Sequence, residues 1–238
     1  MGSYELKRFD RTSDWEVDGK MLEERYDRVR AFLHAEGLGA LIVYSPPVAN
    51  MWGQTGHVAY LSGWGNLDRM VDTVVVVPVE GSPVLLYAGM PFMEENISHV
   101  SPMKDVRLVQ AVDPNAVAME RSSGGESSRD LRSFASETLS ILRAREIFDK
   151  GIGVVGISNM PLPFFDALSR EIGDNLCQVD DIVAKLRAVK VPAELELLRH
   201  SAHLGDLGFE AMMEVAKPGM RGIEIIAEME RAARREGA

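Results

Sequence analysis

The chain has 238 residues, and 26 Lys and Arg against 36 Asp and Glu give it a formal charge of −10 at neutral pH. A hydrophobic share of 46% supports a core at this length, which suits one large domain or one domain with part of another. The acidic balance excludes non-specific nucleic-acid binding, which needs Lys and Arg to displace counterions, and it disfavours anionic membranes.

Residues 1–20 are charged and read as an N-terminal extension. A helix is predicted over 21–36, because Leu22, Tyr26, Val29 and Leu33 fall on one helical stripe, with Gly37 as its terminator. Residues 40–44 read as a buried strand ended by Ser45-Pro46-Pro47. The stretch 50–69 holds two tryptophans and many glycines, and it reads as loop, short strand, loop rather than helix. Two β-rich runs, 73–78 and 83–87, suit a hairpin across Val79-Glu80-Gly81-Ser82. A short helix over 91–97, a strand over 106–109 and a polar loop over 121–129 follow, then a helix over 129–148. Next come a strand over 152–156, a helix over 161–172, a strand over 176–179 and a short helix over 180–189. That order indicates one α/β domain with a mixed sheet across 21–189. Pro192 then opens a helix running to about residue 216, and a last helix covers 222–235. The two helices of 190–238 bring no strand and cannot enclose a core alone, so they dock on the first domain or open a second one.

Cys177 is the only cysteine, which excludes an intrachain disulfide and points to a reducing, cytoplasmic setting. No neighbouring His or Lys lowers its pKa, and it reads as a buried strand residue. The N-terminus shows no signal peptide, and the longest apolar run, around Val74 to Val77, is too short to span a bilayer. Gly151, Gly153 and Gly156 match G-x-G-x-x-G, but they lie in the strand after a helix, whereas a dinucleotide site needs them between strand and helix. His200 and His203 share one helix face with metal-ligand spacing, yet Arg199, His203, Asp206 and Glu210 read as a solvated face opposite Leu195, Leu198, Phe209 and Met212. The stretch from Trp52 to Arg69 holds the candidate binding residues. Trp64 and Arg69 put an aromatic platform and a guanidinium on one loop, and they stay open between binding and anchoring; Trp52 and Tyr60 read as core.

Several stretches together resemble the creatinase, prolidase and Xaa-Pro aminopeptidase family. Ala40-Leu41-Ile42-Val43 is similar to its first strand, and Tyr60-Leu61-Ser62-Gly63-Trp64 to its tyrosine-leucine-threonine-glycine-aromatic turn. The strongest match runs from Leu186-Arg187 through Lys190-Val191-Pro192-Ala193-Glu194 to Arg199, where a short helix ends and the catalytic domain begins. Lys217-Pro218-Gly219-Met220 continues the pattern. The resemblance implies a mixed-sheet creatinase/prolidase N-terminal α/β domain over 21–189. It implies that 190–238 is the helical pair opening an incomplete pita-bread α+β domain.

In the family the catalytic groups follow those two helices: two Asp, one His and two Glu around paired metals, or a metal-free His in creatinase. The expectation is therefore no catalytic residue, no metal ligand and no cofactor in this chain, with a divalent metal (Mn, Co or Zn) in the complete protein. The resemblance further implies a homodimer whose loop residues Trp64 and Arg69, with His57, form a substrate rim completed by a partner's catalytic domain. The substrate implied is a peptide or small amino-acid derivative hydrolysed at a C–N bond; lyase members leave the reaction class open. The alternative is a non-catalytic interaction module of the same fold, as in relatives that bind histones, and neither version involves nucleic acid or membrane. Without the sheet they cover in the family, apolar residues of the last two helices, Leu195 and Phe209 among them, are expected to lack a cover.

Overall fold

The structure is a computed structural model that describes residues 17–46, 56–64, 71–89, 93–110 and 132–237. It divides into two compact units, one of Val17–Val189 and one that takes in the chain from Lys190 onward.

In the first unit, helix α1 (Gly19–Glu36) starts where the Asp18 carboxylate accepts the Met21 N–H at 2.7 Å and stops at Gly37, whose φ of 67° suits glycine. Strand β1 (Leu38–Ser45) is buried along its whole length. After α2 (Gly56–Ser62) come the hairpin strands β2 (Thr73–Pro78) and β3 (Val84–Ala88), then α3 (Met93–Val100) and β4 (Asp105–Val109). Helix α4 (Phe134–Ala144), β5 (Gly151–Val155), α5 (Leu162–Ile172), β6 (Leu176–Gln178) and α6 (Asp181–Ala188) complete the unit.

The described strands form one mixed sheet in the order β4-β3-β2-β1-β5-β6. β1 pairs antiparallel with β2 and parallel with β5, so it is central and reads as a continuous apolar run. Its residues alternate between two cores. Ala40, Ile42 and Tyr44 pack with Phe134, Leu142 and Phe164 of α4 and α5, while Leu41 and Val43 pack with Val29, Leu61 and Val183 of α1, α2 and α6.

Three expectations are corrected. Residues 56–62 are a helix rather than a short strand between loops. The glycines bracket it: Gly56 opens it and Gly63, at φ 69°, closes it, leaving the glycine-free run His57 to Ser62 between them. Helix α4 begins at Phe134 because Ser133 caps it, accepting the Ser136 N–H at 3.2 Å, and it ends by residue 144. Its end is set by Glu146 at φ 55° and by the Ile147 N–H reaching the Leu142 carbonyl at 3.1 Å, a wrapped helix terminus. Cys177 does lie on β6 but is only partly buried, because β6 is an edge strand. The loop over 121–129 lies outside the described residues.

The glycines of 151–156 have packing reasons. A Cβ on Gly151 would stand 2.8 Å from the Leu38 side chain, and one on Gly156, at φ 90°, would stand 2.6 Å from the Tyr44 carbonyl. They let β5 lie against β1 and turn away from it, and no phosphate cradle is needed to explain them.

The second unit contains α7 (Pro192–Val215) and α8 (Gly222–Arg235). Each begins with a glutamate reaching back to the residue before the helix: Glu194 accepts the Val191 N–H at 2.9 Å and Glu224 the Arg221 N–H at 2.8 Å. Gly208 of α7 faces the Met229 backbone of α8, which allows close approach. Leu195, Leu198, Phe209, Met213, Ile223 and Ile226 are exposed, Phe209 to 56%. No helix among the described residues is long and apolar enough to cross a membrane.

Candidate functional site

The carboxyl ends of β1, β3 and β5 meet at one end of the sheet, the end at which open α/β sheets place their ligands. Helix α2 packs across one face of the sheet, with Val58 and Leu61 in the core that holds Leu41 and Val43, and Gly63 after it adjoins Pro102, before β4. A helix of seven residues is too short to hold itself in water, so its position has to come from elsewhere. Three side chains supply it. Arg25 donates to the Tyr60 carbonyl at 2.7 Å, the Tyr26 hydroxyl to the Leu61 carbonyl at 2.7 Å, and the Ser101 hydroxyl to the Ser62 carbonyl at 2.5 Å. These are the carbonyls that a helix C-terminus leaves without intrahelical partners. The Arg25 guanidinium also lies 4.2 Å above the Tyr60 ring, a cation–π contact. Burial, and then the charge of Glu23, raise the Tyr26 pKa, so its phenol stays a neutral donor.

Trp64 follows directly, and its N–H is held by the Ser62 hydroxyl at 3.0 Å. Only 7% of the residue is exposed; its ring meets Tyr87 edge-on, with centroids 6.1 Å apart and planes at 74°. The Tyr87 hydroxyl is buried without a partner among the described residues, and burial followed by the Glu94 charge pushes its pKa up to about 12. Residues 65–70 lie outside the described residues, and Arg69 is among them. The chain beyond them is anchored at Asp72, which is buried. Its carboxylate accepts the Tyr44 hydroxyl at 2.5 Å and its carbonyl the Ala88 N–H at 3.0 Å. Burial, and then the hydrogen bond to Asp72, hold the Tyr44 phenol in its protonated form.

His57 occupies the first turn of α2 and is 4% exposed. Its Nδ1 lies 3.3 Å from Arg187 Nη1, and because a guanidinium can only donate, Nδ1 accepts. Burial, and secondarily the Arg187 charge, lower its pKa, while Asp180 acts the other way. Asp180 itself accepts the Gly156 N–H at 2.6 Å and the Gln178 amide at 2.5 Å.

His57 and Trp64 thus sit at the two ends of one nine-residue segment but face different partners, one on α6 and one on β3. Neither presents an exposed surface. The sequence did not single out Tyr44, Asp72, Ser101 or Arg187 as site residues, and it placed Tyr26 only in an apolar stripe. Their partners lie tens of residues away, beyond the reach of any local pattern. Among the described residues no three of His, Cys, Asp and Glu gather as a metal site requires. On α7, Glu196 is engaged by Arg199, one turn along the same helix.

A family profile described as Creatinase/Prolidase N-terminal domain matches residues 25–189. A comparison with curated proteins gives no match. Among solved structures, the chain is similar to an Xaa-Pro dipeptidase from Bacillus anthracis, at 16% identity and a TM-score of 0.58, over 91% of this chain and 50% of that one. An X-Pro aminopeptidase from Thermotoga maritima matches at 19% identity and a TM-score of 0.63, over 90% and 49%. A prolidase from Pyrococcus furiosus matches at 17% identity and 0.56, over 89% and 53%. The chain therefore spans about half the length of these structures, and at such identities the likeness is one of fold.

Proposed function

The chain belongs to the creatinase/prolidase N-terminal domain family, and on that premise we propose that residues 21–189 form the dimerisation and substrate-rim domain of a C–N hydrolase. Its substrate is a peptide or a small amino-acid derivative, and residues 190–238 open the catalytic domain. The catalytic groups, and the divalent metal (Mn, Co or Zn) that the family resemblance implies, belong in this reading to the part of the family's catalytic domain that follows its first two helices.

One observation carries the rim reading. Both ends of the stretch 65–70 are fixed by side chains from distant elements, Ser101 at Ser62 and Tyr87 at Trp64 on one side and Tyr44 at Asp72 on the other. Binding residues concentrate on loops held by such rigid frames. Within the proposal, Arg69 touches the substrate, pairing with a carboxylate through its planar fork. Trp64, as an apolar wall, and His57 belong to the same rim in this reading, and both are buried within the first unit. In the complete protein, the catalytic domain of a partner subunit completes the rim.

The test is Arg69→Ala in the complete protein. Loss of a charge-assisted pair is expected to raise KM roughly 10- to 100-fold; unchanged substrate binding would sink the proposal. The mass of the native protein in its source cells is the companion measurement. A mass well above that of 238 residues supports the hydrolase reading, and an equal mass favours an interaction module of the same fold.

A further inference from the structure

We infer that Arg187 is a positioning residue that seats the first turn of α2, and through it the segment that leads to the rim; the rim part of this inference rests on the function proposed above. The far end of α2 is held by Arg25, Tyr26 and Ser101 through main-chain carbonyls, and Val58 and Leu61 pack in the core, but those hydrogen bonds do not reach its first turn. At the near end the Arg187 guanidinium lies against Gly56. A Cβ there would stand 2.7 Å from Nη2 and 2.8 Å from Nη1, so the absence of a side chain on Gly56 is what admits the group. The same guanidinium donates to His57 Nδ1 at 3.3 Å.

Arg187 is itself well placed to act as a fixed post. It belongs to α6, which is anchored in the core by Ile182 and Val183. The turn before α6 is tied to the end of β5 by Asp180, which accepts the Gly156 N–H. The contact therefore joins α2 to the β5–β6 side of the sheet, whereas Arg25, Tyr26 and Ser101 reach it from α1 and from the chain after α3. Because the guanidinium cannot accept, the contact requires the imidazole to keep Nδ1 unprotonated, which makes His57 a reporter of it.

The experiment compares the 238-residue chain with Arg187→Met, which keeps an apolar stem but deletes every donor and the charge, and with Arg187→Lys, which keeps the charge. The readouts are the imidazole titration of His57 by nuclear magnetic resonance and amide hydrogen exchange of residues 57–62. For Arg187→Met the His57 midpoint should rise and the α2 amides should exchange about tenfold faster, while β1 and β2 stay protected. Arg187→Lys should fall between Arg187→Met and the unaltered chain. Unchanged α2 exchange in Arg187→Met, or an unchanged His57 midpoint, overturns the positioning role and assigns Arg187 to packing. Neither readout needs substrate, so a failure here is distinct from a failure of the rim reading, which stands on Arg69→Ala.

Discussion

Helix α2 and helix α8 are made in opposite ways. The first has seven residues, and what keeps it helical comes from α1, from Ser101 and from α6, between 35 and 130 residues away in sequence. The second has fourteen residues and carries its own support: a glutamate at its start reaching back to Arg221, and ion pairs from Arg231 to Glu228 and from Arg234 to Glu230. The short helix is buried and the long one exposes Ile223 and Ile226. An element lacking local support is thus placed accurately by its surroundings, and such placement suits a frame for recognition. An element with strong local support can be regular without being covered.

The largest expected effect comes from truncating one apolar residue in each unit. Leu61→Ala should destabilise the first unit by about 2–5 kcal/mol in urea denaturation, since Leu61 is fully buried on α2. Phe209→Ala on α7 should change stability by no more than about 0.5 kcal/mol, because it is already more than half exposed. Comparable losses would erase the contrast between the units. Tyr26→Phe comes next. It removes only a hydroxyl, but it strips the Leu61 carbonyl of its donor, at an expected cost of about 1–3 kcal/mol and with faster amide exchange confined first to α2.

Acid should then loosen the first unit through His57. Its pKa is lowered in the fold, so below the ordinary histidine value the unfolded chain binds more protons than the folded one, and stability falls as pH falls. Thermal melts between about pH 7 and pH 5 should show that loss. His57→Gln should flatten it, and an unchanged slope would mean that His57 carries none of the acid sensitivity. The smallest effect is expected of Tyr87→Phe. Its hydroxyl is buried with no partner among the described residues, so removing it should leave the denaturation midpoint unchanged or raise stability by up to about 1 kcal/mol. A clear loss would reveal a partner in the chain that adjoins Trp64.

Much of the fold is legible residue by residue. The Leu22–Leu33 stripe and Gly37 mark α1, the unbroken apolar run over 40–44 marks β1, and Lys217-Pro218-Gly219 separates α7 from α8. Helix α2 is not legible, because a glycine count treats brackets and interior alike and no periodic stripe fits into seven residues. The sequence leaves Trp64 open between binding and anchoring for a related reason: a tryptophan serves either purpose, and only the tertiary packing against Tyr87 shows that its ring is buried. Arg187 stood in plain view within the stretch resembling the family's linker, yet nothing in that stretch says its guanidinium would lie on Gly56.

The sequence by itself determined what depends on neighbours within a turn or two. The bounds of the longer helices, the apolar runs of the strands, the balance of charge and the family resemblance are mostly of that kind. Tertiary structure alone decided where α2 stands, which side of Trp64 is covered and which ring nitrogen of His57 must accept. Each of those outcomes needs a donor or a ring brought in from a remote element, and a hydrogen bond between residues 130 apart exists only after the sheet has formed and closed the distance.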